Sequence, residues 1–217
     1  KNPVAVKTIV TTPMAAKIAE HYGVQLIDVL TGFKFIGEQI GLLEKKGEAD
    51  RYIFGFEESY GYLSGSFVRD KDAVNASLLI CEMFAWYKSQ GKSLVDVLEE
   101  LYQEYGCYES KLLSFQFEGA DGFAKMQSLM TELRTNRPAE LAGIAVERSN
   151  DYQNDDTGLP KSNVLRFFLK NGAEAVVRPS GTEPKLKVYL TVIGRNKVEA
   201  KKEIELLVET MERFLMS

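Results

Sequence analysis

Cysteine, histidine and excess positive charge are all scarce in this chain of 217 residues, and each scarcity excludes something. Two cysteines, Cys81 and Cys107, do not make a disulfide framework. Cys81 lies in the apolar run "LLICEMFAW" and reads as a small buried hydrophobe, with a reducing, cytoplasmic compartment as the default setting. The one histidine, His21, falls near a predicted helix end, so no histidine stands beside the carboxylates to support general acid–base work. Lys and Arg number 27 against 31 Asp and Glu, a formal charge of −4, which argues against a general nucleic-acid binder. No apolar run reaches the ~18 residues of a membrane-spanning helix. No signal peptide and no internal repeat is visible. The chain opens on "KNPVAV", without Met and directly before a strand, which reads as an excised fragment.

What is present is a composition of ordinary globular type, 45% hydrophobic and 27% charged, arranged in two patterns. The first hundred residues alternate between strand and helix periods. "VAVKTIVTT" reads as a buried strand, followed by a helix "MAAKIAEHY" with Thr12 as cap, Pro13 in its first turn and Gly23 closing it in the left-handed conformation. "VQLIDVL", "KFIGEQIGLLEKK" and "RYIFGF" continue as strand, helix and strand. This order predicts a parallel sheet. The helix "DAVNASLLICEMFAWYKSQG", capped by Asp72, is apolar nearly all round and is expected to be buried on more than one side. A further helix starts at Ser93, with Asp96 completing a capping box.

After Gly106 strands cluster: "ESKLLSFQFEG", "IAVERSNDY", "NVLRFFLKN", "EAVVR" and "LKVYLTV", with a helix in "DGFAKMQSLMTELRTN" and another from Asn196. In "LKVYLTV", Leu186, Val188, Leu190 and Val192 alternate with polar positions, predicting one buried face. The polar stretch "SNDYQNDDTGLPKSN" reads as a loop. The expected organisation is an α/β domain over residues 1–106 and a small α+β domain over 107–217.

Ligands of open parallel sheets bind beyond the carboxyl ends of the strands. Those ends carry Thr11–Thr12, Thr31–Gly32–Phe33–Lys34 and Glu57–Glu58–Ser59. Carboxylates accept from hydroxyl-rich ligands, and serine both donates and accepts. If the strand continued to Ser59, Glu57 and Ser59 would share a side and could receive a sugar diol. Two glutamates after a strand are most often solvated charges. Lys71, in the charge run "RDKDA", is within reach of the same edge. The segment "RPSGTEP" is more specific. Arg178 offers a planar fork suited to phosphate, Ser180 and Thr182 add hydroxyls, and Gly181 permits a left-handed backbone for an anion nest. The competing reading is a surface turn with a solvated arginine. The spacing of a Walker loop is absent.

In this order and spacing, "VLTGFKFIG", "FGFEESYGYLSGSFVRDKDA" and "RPSGTEPKLKVY" resemble the specificity, sugar-binding and phosphate-binding loops of the α-D-phosphohexomutases, the phosphoglucomutase/phosphomannomutase family. The resemblance covers essentially the whole chain, as the C-terminal half of such an enzyme. It implies a Rossmann-like third domain, truncated at its N-terminus, followed by a TBP-like α+β fourth domain with a mainly antiparallel sheet. By the same resemblance, Glu57, Ser59, Thr31 and Gly32 contact the sugar, and Arg178, Ser180, Gly181, Thr182 and Lys71 the phosphate.

The family's reaction passes a phosphoryl group between a phosphoserine and a hexose phosphate through a 1,6-bisphosphate intermediate, with Mg²⁺. Neither the serine loop (T-A-S-H-N-P-like) nor the metal loop (D-G-D-x-D-R-like) occurs here, so no catalytic or metal-binding residue is assigned to this chain, and upstream domains of the same enzyme are the implied partners. Phe56 stands where many members carry glycine, and no histidine follows the serine as in many mannose-active members. "EESYG" therefore points to glucose phosphate. A mannose phosphate, a pentose phosphate, bisphosphate synthesis, or a non-catalytic sugar-phosphate-binding module are the alternatives. Neither nucleic acid nor membrane is an expected partner.

Overall fold

The computed structural model describes residues 2–181 and 183–216, and it divides into two compact units between Tyr105 and Gly106. In the first, the elements run β1 (Val4–Thr8), α1 (Met14–His21), β2 (Gln25–Val29), α2 (Phe33–Lys45), a short 3₁₀ helix (Ala49–Arg51), β3 (Tyr52–Glu57), β4 (Gly61–Leu63), α3 (Ala73–Ser89) and α4 (Leu94–Tyr105). The sheet order is β2-β1-β3-β4. β1 pairs in parallel with both β2 and β3, as the strand–helix alternation predicts. β4 is antiparallel to β3. It falls in "YGYLSG", whose three-residue strand is too short to show an alternation.

Helix α2 covers one face of this sheet. Its Phe33, Ile36, Ile40 and Leu43 pack with Val4, Val6, Val29, Tyr52 and Leu63. Two predicted caps form: Asn75 N–H donates to Asp72 Oδ1, and Ser93 and Asp96 bond reciprocally. In α1 the cap position falls on Pro13 and not on Thr12, whose Oγ1 accepts from Met14 N–H from one residue outside it. Gly23 takes the left-handed conformation after α1, with φ of 63°.

Two expectations fail together in α3. None of its residues is buried; Leu78, Ile80, Met83, Phe84 and Trp86 are all exposed, and so is Cys81. The reason is topological. Its main neighbours among the described elements are β4 and α4, and a three-residue strand beside an amphipathic helix cannot cover a helix apolar on every side.

The second unit contains β5 (Cys107–Gln116), α5 (Gly119–Thr135), β6 (Glu140–Leu141), β7 (Ile144–Asp151), β8 (Leu165–Leu169), β9 (Glu174–Pro179), β10 (Lys185–Gly194) and α6 (Lys197–Met216). The sheet order β5-β10-β9-β8-β7-β6 is antiparallel throughout. The alternating Leu186, Val188, Leu190 and Val192 are buried, and so are Met126, Leu129, Met130 and Leu133 of α5 and Ile204, Leu207, Met211 and Leu215 of α6. The opposite side of β10 is less solvated than its pattern predicts. Tyr189 and Thr191 are buried too, the latter sharing a hydrogen bond with Ser110 of the neighbouring strand.

Candidate functional site

Parallel pairing places the carboxyl ends of β1, β2 and β3 on one edge of the first sheet. β3 stops at Glu57 and does not continue to Ser59 as the alternation argument required. The chain turns through Glu58–Ser59–Tyr60 and returns as β4, with Glu57 paired to Gly61. Tyr60 occupies the left-handed region at φ of 64° with its ring exposed, so the turn carries a strained non-glycine residue. Ser59 still lies near Glu57, close enough across the turn for its hydroxyl to favour the ionised carboxyl.

Glu57 is 7% exposed. Burial raises its pKa above the ordinary 4.5, opposed by the charge of Lys71 and the Ser59 hydrogen bond and reinforced by Glu58 and Asp70. Gly61 makes the convergence possible. A Cβ there would lie 2.7 Å from Glu57 Oε1 and 2.7 Å from the Lys71 Cδ. Lys71 also pairs with Asp70 at 2.9 Å, and its ammonium lies 5.4 Å from the centre of the Phe33 ring, at the start of α2. Glu57, Ser59 and Lys71 therefore form one cluster. Thr31 and Gly32 lie at the same sheet edge, before α2. Gly32 has φ of 121°, which only glycine adopts without strain. The buried Thr31 Oγ1 has no hydrogen-bond partner among the described residues.

Sequence reasoning passed over two groups beneath this loop, Lys7 and Thr8. Lys7 and Thr8 are buried in β1, and Glu58 Oε2 accepts from the Thr8 and Thr11 hydroxyls. A lysine inside an apolar strand was the available signal. His21 behaves as an ordinary helix-terminal residue, held by Glu104 and the Tyr105 hydroxyl, each at 3.0 Å.

In the second unit the loop after β9 is closed as a hairpin: Ser180 N–H donates to Lys185 O at 2.7 Å. Gly181 is not in the left-handed region. Among the described residues the left-handed turn expected at Gly181 is therefore absent, and hairpin closure engages the Ser180 N–H. Thr182 lies outside the described residues. What the loop presents is side-chain charge. Half-buried Arg178 donates to Tyr189 Oη at 3.2 Å, and its buried Nε has no hydrogen-bond partner among the described residues. Lys187 stands directly across from Arg178 in the β9–β10 register, adding a second cation on that face. Sequence reasoning left Lys187 out as an alternating polar position of β10.

Among the described residues, no group of three or more His, Cys, Asp or Glu is placed to hold a metal ion. No described helix is long and apolar enough to cross a membrane.

Comparison with known proteins gives one answer for both units. The model of the phosphoglucomutase/phosphomannomutase alpha/beta/alpha domain III matches residues 1–105, and that of the phosphoglucomutase/phosphomannomutase C-terminal domain matches residues 126–208. The phosphoglucomutase of Staphylococcus epidermidis is 40% identical over 202 residues, covering 88% of this chain and 36% of the relative. That of Staphylococcus aureus strain MSSA476 is 37% identical over 219 residues, covering 96% and 39%. Among solved structures, the open form of pp63/parafusin from Paramecium superposes with a TM-score of 0.68 at 21% identity, over 97% of this chain and 38% of that one. A phosphoglucomutase/phosphomannomutase family protein from Burkholderia thailandensis gives 0.60 at 12% identity, over 98% and 38%. The chain spans 36–39% of the length of the curated relatives it matches.

Proposed function

The chain belongs to the phosphoglucomutase/phosphomannomutase family, and from that premise we propose that it is the substrate-recognising part of a phosphoglucomutase that interconverts glucose 1-phosphate and glucose 6-phosphate. The observation that carries this reading is the convergence of a buried carboxylate, a hydroxyl and an ammonium at Glu57, Ser59 and Lys71. Ionised Glu57 accepts hydrogen bonds from two sugar hydroxyls. Ser59 accepts or donates a third, and Thr31 Oγ1 supplies another uncommitted partner. Arg178, with Lys187 beside it, holds the phosphate that is not being transferred. Ser180, Gly181, Thr182 and Lys71 belong to the proposed phosphate contacts by family resemblance.

Phosphoryl transfer depends on positioning and charge stabilisation. These groups fit that division: hydroxyl and phosphate contacts can be remade when glucose 1,6-bisphosphate reorients between the two half-reactions. In this reading the Mg²⁺ ion and the phosphoserine are supplied by parts of the enzyme other than these 217 residues, whose sequence carries neither of the family's two loops for them, and the fragment alone is inactive. The two free thiols accord with a reducing, cytoplasmic setting.

The test is Arg178→Ala in the full-length enzyme. kcat/KM for glucose 1-phosphate falls about 100-fold, on the scale of a lost charge-assisted phosphate contact. An unchanged value refutes the assignment of the loop. Mannose and ribose phosphates measured in parallel decide the sugar.

A further inference from the structure

The proposed function leaves unused a connected polar cluster beneath the Glu57 turn. Lys7 is 1% exposed, in the middle of an otherwise apolar strand. Its ammonium reaches Asp28 Oδ1 at 3.0 Å, Thr11 O at 3.1 Å and Thr8 O at 3.2 Å, one acceptor for each of its three protons. Asp28 is its cross-strand partner on β2. Lys7 therefore fastens the loop after β1 to the end of β2.

The same loop is fastened to β3 from above. The Thr8 and Thr11 hydroxyls lie 2.7 Å apart, and each reaches Glu58 Oε2, at 3.3 and 3.4 Å. Two hydroxyl protons serve three contacts, so two of the three hydrogen bonds exist at any instant and none of the oxygens is abandoned. Glu58 is the residue between Glu57 and Ser59. Its side chain goes to the β1 loop while that of Glu57 goes toward Gly61 and Lys71. A turn carrying a left-handed tyrosine needs an external restraint to stay in one conformation, and this cluster supplies it.

We propose that Lys7, Asp28, Thr8, Thr11 and Glu58 are positioning residues, a brace across three strand ends that holds Glu57 and Ser59 in register for the sugar. The use of the brace rests on the mutase reading; its existence does not. A lysine buried only for stability would lower the melting temperature when altered and leave the affinity of the remaining folded enzyme alone.

The experiment uses the full-length enzyme with Thr11→Val, Thr11→Ser, Glu58→Leu and Glu58→Gln, since Lys7→Met risks misfolding by removing a buried ammonium that donates to three oxygens. Amide hydrogen exchange over residues 57–61 reports the brace without any assay of activity. It accelerates about tenfold in Thr11→Val and Glu58→Leu, as expected for the loss of one restraining hydrogen bond. KM for glucose 1-phosphate rises about fivefold in both while kcat changes by less than about twofold. Thr11→Ser and Glu58→Gln, which keep a hydroxyl donor and an oxygen acceptor, restore both readouts. Unchanged exchange in Thr11→Val and Glu58→Leu overturns the brace. Faster exchange with an unchanged KM overturns its positioning role, and so does a Thr11→Ser variant as impaired as Thr11→Val. A wild-type enzyme that neither binds nor converts hexose phosphates refutes the mutase reading instead, and the exchange data still decide the brace.

Discussion

Two buried carboxylates, one in each unit, are treated in opposite ways. Asp151, at the end of β7, is fully buried and its oxygens are occupied: Oδ2 by Arg134 Nε at 2.9 Å and Asn154 Nδ2 at 2.6 Å, Oδ1 by the Gln153 N–H at 3.1 Å. Burial alone would raise its pKa, but the hydrogen bonds from Gln153, Arg134 and Asn154 and the charge of Arg134 outweigh it, and the net direction is down. Glu57 is almost as buried, yet its net shift is up, since Lys71 and Ser59 do not compensate its desolvation. A carboxylate saturated inside its own unit is architecture. A desolvated one left short of partners has capacity for a ligand.

The largest effect expected on that contrast is on stability. Asp151→Ala leaves Arg134 without its buried partner and costs ~3–5 kcal/mol, measured by denaturant unfolding. A loss under about 1 kcal/mol would remove Asp151 from the structural side of the comparison. Glu57→Gln reverses the profile. In the full-length enzyme kcat/KM falls roughly ten- to 100-fold, the scale of a hydrogen bond to a charged group, while the melting temperature is maintained.

The pH dependences have opposite signs. Asp151 stabilises above its unfolded value of 3.8, and that contribution is lost as pH falls through its lowered folded value. For Glu57 the folded state holds its proton more tightly. Stability therefore declines as pH rises from 4.5 through the raised folded value, while sugar affinity, which needs the carboxylate, is gained over the same interval. Glu57→Gln abolishes both slopes, readable in pH series of melting temperature and KM. A smaller effect is expected from Arg178→Lys, which keeps the charge but loses the planar fork: KM for the phosphate substrate rises about tenfold. The smallest concerns α3. Trp86→Ala, at a 65% exposed position, changes unfolding free energy by less than ~0.5 kcal/mol despite the apolar sequence around it.

Periodicity was a sound guide wherever an element meets its partners inside its own unit. The stripe of Ile204, Leu207, Met211 and Leu215 is buried as its spacing predicts, and the alternation in β10 names its core residues. It misled in α3, because apolar composition records a tendency to be covered, whereas coverage depends on what lies alongside. Asp72 and Ser93 were readable as caps because capping is local, reaching no further than three residues. The hairpin after Glu57 was not readable, since a three-residue strand has no period. For the site, sequence pointed to Glu57, Ser59, Lys71 and Arg178 as chemistry. It did not show that Glu58 faces the β1 loop, that Lys187 stands beside Arg178, or that Ser180 closes a hairpin.

Family, order of elements and the residue types available to a ligand are legible along the chain, since these depend on composition, local propensity and motif spacing. Which of those residues remain uncommitted is settled by packing. Lys7 has no visible task until β2 brings Asp28 beside it and the β1 loop folds its carbonyls over the ammonium. Glu57 and Asp151 are chemically alike until burial and the number of nearby donors separate them. Desolvation and hydrogen-bond saturation are properties of packing between segments distant in the chain, so neither is encoded at the position it acts on.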